Sequence, residues 1–203
     1  MKDDIMPRIL IYGEDGLTLK YTKNGLGEIL HKLGDNSNPA DCTIFYRPSF
    51  GRSQYGEFDA IIISQEKAYF VEAKWDENGK LEKIRGLEEN QIRRHKIFEW
   101  FSQNWHGEAV EAWDRFAEKN NPEFKKEFTF EKKNGEEDAK YIPDSDTTLG
   151  QNLQNLFKEI GDKKSENVLL IFYKDVQPEV EQDGFTTVFV RYNPTLGLFT
   201  NLD

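Results

Sequence analysis

Apolar residues recur along this chain at two different spacings, which predict an alternation of strands and helices. Runs rich in β-branched and aromatic residues predict strands over residues 8–12, 42–46, 61–63, 68–71, 168–173 and 186–192. Apolar residues three and four positions apart predict helices over residues 21–33, 81–105, 109–119 and 149–160. A turn is expected at 13–16 and a loop at 47–55. This order of elements predicts an α/β fold in which helices flank a central mixed β-sheet.

One stretch of the chain, residues 120–148, lacks either spacing and is mostly polar and charged. Its phenylalanines, Phe124, Phe128 and Phe130, are expected to form a small satellite strand or cluster. A chain of 203 residues is long enough to bury one substantial core. We therefore expect a single domain over residues 1–203 with an insertion at about 120–148.

Two of the predicted strands, joined by the polar segment Ser64–Lys67, form a hairpin with charged ends. If the turn is centred between Gln65 and Glu66, the opposed pairs are Ile63–Ala68, Ile61–Phe70, Asp59–Glu72 and Glu57–Lys74. Because side chains alternate along a strand, all of these pairs lie on one face of the hairpin.

The pairing of Asp59 with Glu72 is unusual for a sheet, because directly opposed side chains are only about 4.5–5.5 Å apart and like charges there are destabilising. A cation between the two carboxylates would relieve the repulsion. The sequence therefore predicts a metal site at the end of an apolar face, with the ammonium of Lys74 beside it. Taken alone, the pattern Glu72-Ala73-Lys74 is weak evidence, since a solvated Glu57–Lys74 ion pair would need no function.

Asp59 followed by Glu72-Ala73-Lys74 resembles the signature of the PD-(D/E)XK, or restriction-endonuclease-like, nuclease superfamily. The resemblance covers roughly residues 25–101, and it looks most like the archaeal Holliday-junction resolvases and the RecB-like nucleases. It implies a three-layer α/β fold with a central mixed sheet. Phe58 stands where the signature has proline, which weakens the match to the signature more than it weakens the chemistry.

The same resemblance implies roles for individual residues. Asp59 and Glu72 would hold Mg²⁺, or Mn²⁺ in its place, with the carbonyl of Ala73 as a further ligand. The resemblance also places a helical acidic residue near the metal, and Glu28 occupies that position. Lys74 would orient or deprotonate the attacking water, or contact the scissile phosphate.

Gln91 occupies the position of the glutamine that such nucleases often carry on the helix after the third strand. It interrupts the apolar face of the predicted helix over 81–105, so its amide should point toward the sheet. Because an unpaired buried amide is costly, a polar partner at the active site is expected for it. The other reading is an amide satisfied at the boundary between helix and sheet.

Four further residues are candidates for contacting the substrate. Arg94 and His95, one turn beyond Gln91, could extend an edge that faces phosphates, while Arg47 and Arg52 flank the mouth of the hairpin. Loop arginines are often merely solvated, and this alternative stays open. The aromatic residues of the later helices have helical spacing, which favours a core or a dimer interface over base stacking: Trp100, Phe101, Trp105, Trp113 and Phe116.

Composition restricts the possibilities only in part. The net charge of −10 argues against nonspecific adhesion to nucleic acid, although a local basic groove or a contact through metal remains open. The single cysteine, Cys42, excludes an internal disulfide framework. No segment approaches the roughly 20 apolar residues of a membrane span, and no signal-peptide core is present, so a cytoplasmic location without a membrane partner is expected.

The sequence thus predicts a divalent-metal-dependent nuclease that hydrolyses phosphodiester bonds, with DNA as the partner and a homodimer as a possible assembly. Two alternatives stay open at this point. The first is a noncatalytic nucleic-acid-binding or protein-assembly module that retains the nuclease fold. The second is a structural interaction protein that uses its tryptophan-rich helices as the contact surface.

Overall fold

A computed structural model describes residues 8–76, 86–105, 110–131 and 135–202 of the chain. Its strands are β1 (Leu10–Ile11), β2 (Thr43–Tyr46), β3 (Ala60–Ile63), β4 (Lys67–Trp75), β5 (Thr129–Glu131), β6 (Glu137–Ala139), β7 (Lys164–Tyr173), β8 (Thr186–Arg191) and β9 (Thr200–Asn201). Its helices are α1 (Gly13–Asn24), α2 (Leu26–Lys32), α3 (Glu89–Asn104), α4 (Val110–Glu127) and α5 (Thr148–Ile160). None of the helices in these ranges is both long and apolar enough to cross a membrane.

The contacts within the chain divide it into two compact units. The first contains the described residues of 1–46, 59–86 and 166–203, and the second contains those of 47–58 and 87–165.

The first unit is built on a five-stranded mixed sheet with the strand order β2-β3-β4-β7-β8. β2 pairs antiparallel with β3, β3 pairs antiparallel with β4, and β7 pairs parallel with β8. The β3–β4 register joins Ile61 to Phe70 and Ile63 to Ala68, as the sequence predicted. These results confirm the α/β class and the central mixed sheet.

Both faces of this sheet are buried. On one face, Ile62, Tyr69 and Val71 pack with apolar residues of α1 and α2, such as Leu17 and Ile29. On the opposite face, the fully buried residues include Ile61, Phe70, Leu169 and Ile171. Burial on both faces accounts for the nearly continuous apolar runs of β3 and β7, and it is compatible with a three-layer arrangement.

In place of the single helix predicted over 21–33, the structure has two helices, α1 and α2, and the first begins at Gly13, earlier than expected. The predicted turn at 13–16 is the first turn of α1, and the chain breaks at Gly25 before α2. A Cβ atom at position 25 would lie only 2.6 Å from Tyr21 Cδ1, so a glycine permits the close approach at this break.

The second unit contains α3, α4, α5 and the β5–β6 hairpin. α3 begins only at Glu89, because Glu88 is extended and caps the helix, and the predicted segment 81–85 lies outside the described residues. α4 runs on to Glu127 instead of ending at 119, although Pro122 lies inside it. Buried Phe124 and Phe128 pack against each other there, with ring centroids 4.7 Å apart.

The aromatic residues of these helices form a core, as their spacing suggested. Phe101 and Trp113 are completely buried and stack with an interplanar angle of 11°. The indole N–H of Trp113 donates to the carbonyl of Pro143 at 2.8 Å, so its polar atom is satisfied. Residues 120–148 therefore supply the end of α4, the β5–β6 hairpin and part of this core.

Candidate active site

The end of the β3–β4 hairpin brings two carboxylates together. The β3–β4 ladder ends at the pair Ala60–Val71, and Asp59 and Glu72 are the next residues beyond it. Asp59 Oδ2 accepts a hydrogen bond from the backbone N–H of Ala73 at 2.7 Å, which fixes the side chain at the strand end. Its other oxygen, Oδ1, makes no hydrogen bond within the described part of the chain.

The surroundings of Asp59 disfavour a negative charge. Burial, and next the charge of Glu72, raise the pKa of Asp59 from 3.8 to about 7, although the Ala73 N–H opposes this. Glu72 itself is only 1% exposed. A buried and a partly buried acidic group therefore lie close enough for the charge of one to disfavour the charge of the other.

A third acidic residue, Glu14, belongs to this group and was not found by sequence reasoning. It lies in the first turn of α1 and accepts a hydrogen bond from the backbone N–H of Trp75 at the end of β4. Burial raises the pKa of Glu14, the charge of Lys74 partly offsets this, and Asp15 and Glu72 raise it further. The available signal was an acidic pair directly after a short strand, which is favourable at a helix N-terminus.

Lys74 is the cation of this group. Its charge acts on both Asp59 and Glu14, and its side chain is half-buried. It makes no hydrogen bond or ion pair with any other described residue. Among the described residues, the ammonium therefore has no partner that an incoming anion would have to displace.

The predicted partner of Lys74, Glu57, is engaged elsewhere, which corrects the expected register at this point. β3 begins at Ala60, after a bend at Asp59, so the ladder does not extend back to Glu57. Glu57 instead forms a bridge with Ser49, and its carboxylate accepts a hydrogen bond from Arg47 Nε at 2.8 Å. Arg47, a predicted phosphate contact, is thereby paired with an acid.

Two other predicted site residues have local partners that differ from those expected. Glu28 lies on α2, is half-exposed and pairs with Lys32 at 2.7 Å. Gln91 Oε1 accepts from the backbone N–H of Glu88 at 3.0 Å, so its amide closes a capping box at the start of α3.

The remaining predicted substrate contacts lie in the second unit. Arg94 is 7% exposed, with its guanidinium 4.9 Å from the centre of the Phe58 ring. His95 is almost completely buried and packs edge-on against the same ring, with centroids 4.9 Å apart. Arg52 lies in a π-helical turn at Gly51–Tyr55, and its side chain is outside the described part of the structure.

The donor atoms at the hairpin end suit a hard cation, but they do not form a closed cage. Among the residues that the structure describes, no group of three or more His, Cys, Asp or Glu side chains is arranged to hold a metal ion. Mg²⁺ usually needs only one or two carboxylates, because waters and substrate phosphate complete its shell. Asp59 and Glu72, the next residues beyond the β3–β4 ladder, supply two carboxylates.

The chain matches no protein-family model, no curated protein and no solved structure. What it does is therefore inferred from its own residues.

Proposed function

We propose that the charged end of the β3–β4 hairpin is the active site of a divalent-metal-dependent nuclease that hydrolyses DNA phosphodiester bonds. The observation that carries the proposal is the neighbouring pair of a partly buried Asp59 and a buried Glu72, in which the pKa of Asp59 rises to about 7, with the charge of Lys74 acting on Asp59. We propose further that the sheet and its helices belong to the three-layer restriction-endonuclease-like fold.

A structural role alone accounts poorly for this arrangement. Ionising two neighbouring carboxylates away from water destabilises a fold unless a cation compensates, and the charge of Lys74 only partly offsets the raised pKa values of Asp59 and Glu14. Hard carboxylate oxygens are the ligands that Mg²⁺ and Mn²⁺ favour. The electrostatic cost therefore supports a site that is completed by a metal ion.

Each residue then has a defined task. Asp59 and Glu72 would hold the ion, with the Ala73 carbonyl as a further candidate ligand. When bound, the ion would supply a Lewis acid that neutralises charge on the phosphate and activates water. Lys74 would donate hydrogen bonds from Nζ to a phosphate oxygen or to the attacking water, and the negative charge of Glu14 would hold that ammonium in place.

The proposal is tested by incubating the purified protein with plasmid, branched and single-stranded DNA, and with RNA, in Mg²⁺, Mn²⁺ or EDTA. We expect cleavage with either metal and none in EDTA, and we expect Asp59→Ala and Lys74→Ala each to abolish it. Metal-dependent cleavage that survives both substitutions would point to a contaminating nuclease and reject the proposal.

Metal binding provides a readout that does not depend on the right substrate. Calorimetric titration with Mn²⁺ should give a saturable signal that Glu72→Ala removes. DNA binding without cleavage, together with an unchanged Mn²⁺ signal in Glu72→Ala, would instead favour a noncatalytic nucleic-acid-binding module.

A further inference from the structure

The second unit contains a cavity of about 310 Å³ whose wall combines cationic, amide and aromatic groups. Among the residues that line it are Gln54, Gly56, Arg93, Arg94, Phe130 and Lys140. Its volume is at the lower end of the range of about 300–1,000 Å³ that is usual for small-molecule pockets. Three cations and one acid, Asp138, line this small cavity, in a chain whose net charge is −10.

Arg94 is held rigidly in this wall. Its guanidinium lies over the face of Phe58, and its side chain is 7% exposed. A Cβ atom at position 56 would lie 2.7 Å from Arg94 Nη1, so only the bare backbone of Gly56, at φ +84°, leaves room for this position. A guanidinium fixed in this way loses little entropy on binding an anion, and poor hydration strengthens the interaction.

Arg93 forms a flat platform in the same wall. Its guanidinium stacks on the ring of Phe130 at 3.9 Å, and it also pairs with Glu89 on the surface of α3. A planar group could stack on an arginine that is itself held by an aromatic ring.

The rest of the wall adds hydrogen-bonding groups. Lys140 Nζ donates to both carboxylate oxygens of Asp138 at 3.0 Å and to the carbonyl of Ser53 at 2.9 Å, so its charge is largely neutralised. Gln54 Oε1 is buried and has no hydrogen-bond partner in the part of the chain that the structure describes. Because leaving a buried polar atom unpaired costs free energy, a polar group of a ligand would be stabilised there.

We propose that this cavity binds a phosphate monoester carried on a planar, hydrogen-bonding organic group, as in a nucleoside 5′-monophosphate. The phosphoryl group would lie against Arg94, the planar group against the Arg93–Phe130 platform, and a polar group against Gln54. The same chemistry has two sources: a free mononucleotide, or the 5′-phosphorylated end of a nucleic acid. The site is independent of the proposed hydrolysis, since it requires neither Asp59 nor a metal ion.

Calorimetric titration in EDTA separates this site from the proposed metal site. The probes are AMP, adenosine and inorganic phosphate, followed by a short oligonucleotide with and without a 5′-phosphate. We expect saturable binding of AMP that exceeds the binding of adenosine by at least about tenfold, because the charged phosphoryl group supplies the strongest contact. Binding of the phosphorylated oligonucleotide together with AMP, or in place of AMP, supports the site and identifies its source.

Variants locate the binding. Arg94→Lys should weaken AMP binding by about tenfold or more because it loses the bidentate contact, and Arg93→Gln, at a partly exposed position, should weaken it without unfolding the chain. Lys96→Gln is the matched control, since Lys96 is an exposed cation on the same helix and does not line the cavity. Equal binding of AMP and adenosine, no saturable binding of any phosphorylated probe, or unchanged binding in a folded Arg93→Gln protein would each overturn the proposal.

Discussion

At the scale of single residues, the sequence prediction and the structure differ most clearly in which helical acidic residue lies at the candidate site. Sequence reasoning predicted Glu28, which pairs with Lys32, whereas Glu14 shares charge interactions with Glu72 and Lys74. If the proposed nuclease activity is present, we expect Glu14→Gln to lower it by about 10²-fold, because the variant loses the negative charge proposed to position Lys74. Glu28→Gln should change activity by less than about twofold. Initial rates of DNA cleavage in Mg²⁺ measure both.

The two substitutions are matched in chemistry, and circular dichroism spectra should show that both proteins are folded. A loss of activity in Glu28→Gln with none in Glu14→Gln would support Glu28, the residue predicted from the sequence, as the helical acid of the site. If both variants keep the activity of the native protein, neither helical acidic residue contributes to the reaction.

The residue scale also carries a stability prediction for Asp59. Its pKa is raised from 3.8 to about 7, so its contribution to stability is full below about pH 3.8 and is lost as the pH rises through 7. Asp59→Asn removes the charge, and the Asn carbonyl can still accept from the Ala73 N–H. We therefore expect this variant, at pH 8 in EDTA, to melt a few degrees higher than the native protein, since about 1 kcal/mol corresponds to roughly 2–4 °C at this size.

Saturating Mg²⁺ should abolish that advantage, because the native carboxylate then gains a cation. Thermal melts of both proteins, in EDTA and in Mg²⁺ and at acid and alkaline pH, give the comparison directly. If Asp59→Asn melts lower in EDTA at every pH, the carboxylate is a structural hydrogen-bond acceptor and not half of a metal site.

At the scale of elements, a single buried carboxylate ties α2 to the β3–β4 hairpin. Asp35, which follows α2, accepts from the N–H of Ser37 at 2.8 Å, from Ser64 Oγ at 2.6 Å and from the hydroxyl of Tyr69 at 2.8 Å. Burial alone would raise its pKa, but the hydrogen bonds from Ser37, Ser64 and Tyr69 lower it below the ordinary value of 3.8. The group therefore stabilises the fold above about pH 3.8, and this stabilisation is lost as the pH falls further.

We expect Asp35→Ala to lower the free energy of unfolding by about 3 kcal/mol near pH 7, because three donors lose a charged acceptor. The difference from the native protein should shrink below about pH 4, as urea unfolding curves at several pH values would measure. Asp41→Ala is the control, since Asp41 is exposed and should cost less than about 1 kcal/mol. A pH-independent difference would mean that packing, not charge, is lost.

The elements also show which parts of the molecule the sequence could predict. Runs rich in β-branched residues correctly predicted β3, β7 and β8, and the four-residue turn correctly predicted the β3–β4 register. The start of α1 was missed because the residues Gly13 to Gly16 have the composition of a turn, while packing of Leu17 and Thr18 into the first unit makes them helical. With α1 missed, the position of Glu14 beside β4 could not be derived, since it depends on tertiary contact.

At the scale of the whole molecule, the net charge restricts how the proposed nuclease could bind DNA. A net charge of −10 repels phosphates, so binding by the first unit should require a cation between its carboxylates and the DNA backbone. We expect Lys74→Ala, which should not cleave, to bind labelled single-stranded DNA at least about tenfold more tightly in Mg²⁺ than in EDTA at equal ionic strength. Fluorescence anisotropy titrations measure this ratio.

The double variant Glu72→Gln with Lys74→Ala shows where the cation acts. Relative to Lys74→Ala, it removes one negative charge, which by itself should strengthen DNA binding in EDTA. It also removes a proposed metal ligand and should reduce the Mg²⁺ enhancement to less than about threefold. General screening by Mg²⁺ would enhance both proteins alike, because it does not depend on Glu72. An enhancement that survives Glu72→Gln would therefore place the cation elsewhere on the molecule. Equal binding in EDTA and Mg²⁺ would instead assign the DNA contact to a basic surface, such as the arginine-lined cavity of the second unit.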